Sequence, residues 1–156
     1  MHRRVRARRS GTCIEPVEER CLLSTITVNS AADVVTDDGE VTLREAILAA
    51  NTNTSVDGST AGSADEVDVI EFADGISSIM LADGQFEISE AVTIRGPEER
   101  VTLDADSLSR HFTVTAEAVD FTFENLQLIN GRTLDGSNES GGAIRVAVPF
   151  DSASWW

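Results

Sequence analysis

Two carboxylates, a guanidinium and an imidazole fall within eight positions of this chain, at Asp104, Asp106, Arg110 and His111. Paired carboxylates on neighbouring turns can hydrolyse a glycosidic bond, one as acid and one as base or nucleophile. Acids that hold Ca²⁺ beside a basic group can instead support proton abstraction next to a sugar carboxylate, the chemistry of a polysaccharide lyase. The plainer reading is a solvated loop between one apolar burst ending at Leu103 and the next starting at Phe112. With 27 acidic residues in the chain, an Asp-x-Asp pair arises easily. The loop reading is preferred, and no catalytic, cofactor-binding or metal residue is assigned.

A second acidic cluster is Asp57, Asp65, Glu66 and Asp68, around the small-residue run from Gly58 to Ser63. Hard oxygen ligands on a flexible loop can hold Ca²⁺ weakly, but this spacing fits no EF-hand. A mobile acidic insertion is the expectation. His2 and His111 are the only histidines, so a histidine-based metal cluster is excluded. Neither a Gly-x-Ser-x-Gly elbow nor a phosphate-binding loop occurs. No cofactor is expected.

Charge is segregated along the 156 residues. Residues 1–24 hold six Arg against three Glu, a net +3, whereas residues 25–156 hold six Arg against 24 acids, a net −18. An acidic body of this kind repels phosphate backbones, which argues against nucleic-acid binding. Cys13 and Cys21 both lie in the basic leader, so no disulfide framework holds the body. The leader's basic start resembles an export signal. The apolar segment that a standard signal requires is reduced to Cys21-Leu22-Leu23. No apolar run is long enough to span a bilayer. The leader, residues 1–24, is expected to be disordered.

The elements that must position these residues are one helix and many short strands. Thr42 and Glu45 have capping-box spacing. Leu43, Ile47 and Ala50 then fall on one helical face, Asp37-Asp38-Gly39 supplies the preceding turn, and Asn51 the stop. This predicts a capping helix over Leu43 to Asn51 that covers the open end of a sheet stack. From residue 67, β-branched or aromatic residues alternate in short bursts, the signature of strands. The bursts recur: Ile88 to Val114 is 26 positions, Ile94 to Phe123 is 29, Leu103 to Leu128 is 25 and Val114 to Ile144 is 30. Three strand classes at a common spacing predict an all-β, right-handed parallel β-helix of about three turns, with Leu128 and Ile144 pointing inward near Val114 and Phe123. A β-sandwich is the alternative, although it does not predict the repeat. Gly131, Gly141 and Gly142 are expected to supply positive φ at corners, and Asn125 and Asn130 to bond backbone groups there.

Two resemblances add to this reading. Glu15, Pro16, Arg20, Leu22, Leu23 and Ser24 resemble the LEPR-XLL segment at the start of large bacterial surface and secreted proteins, with Glu19 where that segment usually has Pro. Leu43-Arg44-Glu45-Ala46, Ile47 and Asn51 resemble the CSLREA-type N-terminal module of bacterial β-helix surface proteins, with Thr42 in place of Ser and Val41 in place of Cys. The later Val92-Thr93-Ile94-Arg95-Gly96, Leu126-Gln127-Leu128-Ile129-Asn130-Gly131 and Gly141-Gly142-Ala143-Ile144 are similar in order to pectin-lyase-like and polymorphic outer-membrane repeat proteins. This second resemblance spans residues 25–146. Together they imply a secreted or cell-surface module, adhesin-like or structural, and the N-terminal part of a longer protein. Its partners would be extracellular carbohydrate or protein. The alternative is the remnant of a polysaccharide lyase or hydrolase using Asp104, Asp106 and Arg110. The expected division is a leader (1–24), a cap strand, helix and acidic loop (25–66), the turns (67–146), and an uncapped tail (147–156). That tail ends in Trp155-Trp156 and would favour end-to-end self-association.

Overall fold

The structure, a computed structural model, describes residues 24–115, 120–133 and 142–147. Its elements run β1 (Thr25–Val28), α1 (Leu43–Thr52), β2 (Asp68–Phe72), β3 (Ser78–Met80), β4 (Phe86–Ile88) and β5 (Val92–Arg95). They continue with β6 (Val101–Asp104), β7 (Phe112–Val114), β8 (Phe121–Glu124), β9 (Leu126–Ile129) and β10 (Ile144–Val146). The protein is therefore all-β with one helix. The strands form three parallel sheets, ordered β1-β2-β5-β8, β3-β6-β9 and β4-β7-β10. From β2 onward the chain visits the sheets in fixed rotation, one strand in each, and returns to the first.

Each strand is too short to build a core alone, so the register between cycles decides what is buried. Ile26, Ile70, Ile94 and Phe123 are successive partners in one sheet. Ile79, Leu103 and Leu128 are partners in the second, and Phe86, Phe112 and Ile144 in the third. All of these lie in or against one continuous apolar cluster. Phe112 links two sheets, its ring lying 5.4 Å from that of Phe86 and 4.5 Å from that of Phe123. Three of the four predicted repeat pairs are register partners: Ile88 with Val114, Ile94 with Phe123, and Leu103 with Leu128. The fourth is corrected. Ile144 lies opposite Phe112, and Val114 opposite Val146, because the His111 and Phe112 amides both donate to the Ala143 carbonyl and set the register there. Leu128 and Ile144 pack against the core but are only partly buried.

The helix forms as its sequence requires. The Glu45 amide donates to Thr42 Oγ1 (3.2 Å) and the Thr42 amide to Glu45 Oε2 (2.9 Å), a complete capping box. Glu45 Oε1 also accepts from the Thr36 amide (2.8 Å), which ties the preceding loop to the helix start. Leu43, Ala46, Ile47, Ala49 and Ala50 are buried, and the helix rests on β1, β2 and β4. It runs one residue past the expected stop and ends at Thr52, with Asn53 in the left-handed conformation (φ 52°). Asn51 has a different task. Its side chain donates to the Glu87 carbonyl (2.7 Å) and accepts from the Ser89 amide (2.9 Å), covering the free edge of β4. No helix among the described residues is long and apolar enough to cross a membrane.

One corner expectation is revised, while another holds at Asn125, whose side-chain amide donates to the Gly96 carbonyl (3.3 Å). Gly131 and Gly142 do not take positive φ; Asn125 (φ 52°) and Asn130 (φ 55°) do. A Cβ on Gly131 would meet the Gly142 carbonyl oxygen and the His111 ring, so the glycine is required by close approach. Ser24, placed in the leader by sequence, belongs to the body: its carbonyl accepts from Val69 and its hydroxyl donates to the Ala61 carbonyl (3.0 Å). Residues 1–23, Gly141 and residues 148–156, with both tryptophans, lie outside the described residues.

The burial pattern predicts a graded response to truncation. Leu103 is fully buried and Leu128 only partly so. Leu103→Ala should cost about 2–5 kcal/mol of unfolding free energy, and Leu128→Ala less, as read from urea denaturation midpoints. Equal losses at the two positions would contradict the register described.

Candidate functional site

The four residues with the best catalytic potential go to separate environments. Asp104 ends β6 on its outer side, where Oδ1 accepts from the Asp106 amide (2.9 Å) and from Asn130 Nδ2 (2.8 Å). The Asp106 N–H, then the Asn130 amide, hold this carboxyl below the ordinary aspartate range. Burial opposes them weakly and the neighbouring His111 assists them. Asp104 is thus kept ionised and is ill suited to donate a proton. Asp106 is exposed on a left-handed turn (φ 46°), together with Ser107 (φ 59°). His111 is fully buried, with Nε2 2.9 Å from the Leu103 carbonyl oxygen. A carbonyl accepts only, so Nε2 donates to it. Nδ1 has no hydrogen-bond partner among the described residues and lies beside Gly131. Arg110 is nearly buried and lines a separate cleft with Ser109 and Arg132.

The acids of the 57–68 segment are divided in the same way. Both oxygens of Asp57 accept from the Gly39 amide (3.0 and 2.8 Å), an interaction that holds its carboxyl low and pins the 37–39 turn. Asp68 begins β2 and is fully buried. Its Oδ1 accepts from the Ser63 amide (2.9 Å), while Oδ2 has no partner and lies against Gly62. Burial raises its pKa, with the negative field of Glu90 adding to the rise; the Ser63 N–H counters them. The segment is therefore fastened at several points. No group of three His, Cys, Asp or Glu among the described residues is placed to hold a metal ion.

The strongest polar assembly was not visible in the sequence. Arg44 donates to Asp33 through Nε (2.7 Å) and Nη2 (2.9 Å), a two-pronged pair with the Asp33 side chain wholly buried. The same Asp33 accepts from the amides of Ala82 (2.7 Å) and Asp83 (3.1 Å). Arg44 also donates to the Gly84 carbonyl (2.9 Å) and lies 4.7 Å over the Phe86 ring. One ion pair thus joins the first loop, the helix and the turn between β3 and β4. Burial acts to raise the Asp33 pKa, but the Arg44 hydrogen bond and the Asp83 and Ala82 N–H groups outweigh it, and the net shift is downward. Arg44 stood in the predicted helix, yet nothing local marks a residue 11 positions earlier as its partner.

Comparison with protein-family models, curated proteins and solved structures finds no match for this chain. The geometry itself is therefore the basis for a functional reading.

Asp33 and Asp68 should respond oppositely to neutralisation. The Asp33 contribution is present above the unfolded pKa and lost as pH falls through the lower folded value. Asp33→Asn should therefore destabilise at pH 7, by about 3–5 kcal/mol since Arg44 is left unpaired, with the deficit shrinking in acid. The raised Asp68 pKa gives stability that is complete below the unfolded value and lost as pH rises through the folded one. Asp68→Asn should therefore stabilise at neutral pH and have less effect in acid. Urea melts of both variants at pH 7 and pH 3 check the signs; shifts in one direction would refute the assignment.

Proposed function

We propose that this chain is a non-enzymatic module of a secreted or cell-surface protein, adhesin-like or structural, built as a right-handed parallel β-helix. The observation that carries the reading is the dispersal of its chemistry-bearing residues. Asp104 is bound as an ionised acceptor, His111 is enclosed and Asp106 stands on an outer turn. Such a set gives no shared point at which an acid, a base and a substrate meet. The helical architecture is supported by the rotation of the chain through three parallel sheets and by the preference of parallel crossovers for the right hand. The CSLREA-type resemblance of the capping helix supports surface location. The acidic, charge-laddered exterior suits an exposed scaffold. On it Arg95 bridges Glu124 (2.6 Å) and Glu71 (3.3 Å) across three neighbouring strands. Extracellular carbohydrate or protein would be its partner class.

The competing reading is a polysaccharide lyase or hydrolase that uses Asp104, Asp106 and Arg110. Purified protein incubated with pectin, alginate or similar polyuronates, with and without Ca²⁺, should give no rise in ultraviolet absorbance from unsaturated product. Turnover that disappears in Asp104→Ala or Arg110→Ala would replace the module with the enzyme. Antibody labelling of intact source cells tests location separately; signal seen only after permeabilisation would remove the surface assignment.

A further inference from the structure

Two of the six arginines of residues 25–156 line one cleft, of about 270 Å³, between residues 84–85, 109–110 and Arg132. Its walls are fastened. The Arg132 amide donates to the Ser109 carbonyl (2.8 Å), and the Ser109 hydroxyl donates to the Arg110 carbonyl (2.8 Å). Across the cleft, the Gly84 carbonyl is held by Arg44 (2.9 Å). Arg132 forms no ion pair with a described residue. Arg110 has an interaction of its own within the protein, and a guanidinium carries five donors in all. Gln85 adds an amide to the lining. Two formal positive charges at one cleft stand out in a body that is otherwise strongly acidic.

We propose that this cleft binds a small carboxylate, either a free acid or a carboxylate group on a larger ligand. A planar guanidinium matches the two oxygens of a carboxylate, and two such groups in a confined space define its position. The volume admits a single small group and excludes an extended chain. The surrounding acidic body opposes anion approach, so the affinity is modest, with a dissociation constant on the order of 1–10 mM. The proposal does not depend on the surface-module reading.

The test is titration of isotope-labelled full-length protein with succinate, sulfate and carboxymethyl dextran, followed by amide and arginine side-chain NMR shifts. Succinate should give saturable shifts at Gln85, Ser109 and Arg132. Arg132→Gln, an exposed change whose fold is checked by its melting curve, should weaken binding at least about tenfold. Arg100→Gln, on another surface, should leave binding unchanged. Shifts with succinate alone assign a free acid, and shifts that also appear with the dextran assign a polymer-borne carboxylate. No saturation by about 100 mM, unchanged binding in Arg132→Gln, or tighter binding of sulfate than succinate would overturn the proposal.

Discussion

Strands of three to five residues cannot satisfy their backbone or bury a face by themselves. Everything in this protein depends on parallel, in-register pairing with the strand one cycle away. Pairing supplies the hydrogen bonds that a short strand lacks and places apolar side chain above apolar side chain. The constraint is stringent because a slip of one residue would turn each inward column outward. Phe86, Phe112 and Phe123 reinforce it by making ring contacts within one sheet and between two, which ties two of the three columns together in the common core.

Parallel stacks leave open edges, and this chain covers its first ones with polar side chains. Asn51 presents an amide to β4 much as a neighbouring strand would. Asp33 takes up two amides of the turn before β4, and Arg44 takes a carbonyl of the same turn. These groups are held by the helix and by the loop before it, so the capping box at Thr42 and Glu45 does more than begin a helix. It positions the residues that close one end of the sheets. Helix α1 also buries Leu43 and Ile47 against the sheets.

The polar chemistry is largely consumed by the fold. Asp57 fastens a turn, Asp68 a loop, Asp104 a corner, and His111 a carbonyl of the core. The backbone N–H groups that Asp57 and Asp104 accept favour their ionised forms and fix their direction, which suits them to bracing. The Glu71, Arg95 and Glu124 ladder follows the same logic on the exterior, where solvent keeps its energetic contribution small. The cleft lined by Arg110 and Arg132 stands apart from these braces.

Local patterns in the sequence determined the element types. Period-two bursts located the strands from residue 68 onward, and the Thr42–Glu45 spacing with its apolar face located the helix, because both depend on residues close in the chain. Constant spacing also identified most of the register, including Ile94 opposite Phe123. It misplaced Ile144 by two residues, because the length of a connection does not set register when hydrogen bonds at Ala143 do. The fate of the polar residues was decided only in three dimensions. Asp104, Asp106, Arg110 and His111 are neighbours in sequence and separate in environment, since strand alternation and corners send successive side chains to opposite faces. Asp33 and Arg44 are remote in sequence and become the central ion pair, because only packing of the helix on the sheets removes both from water and gives each its partner.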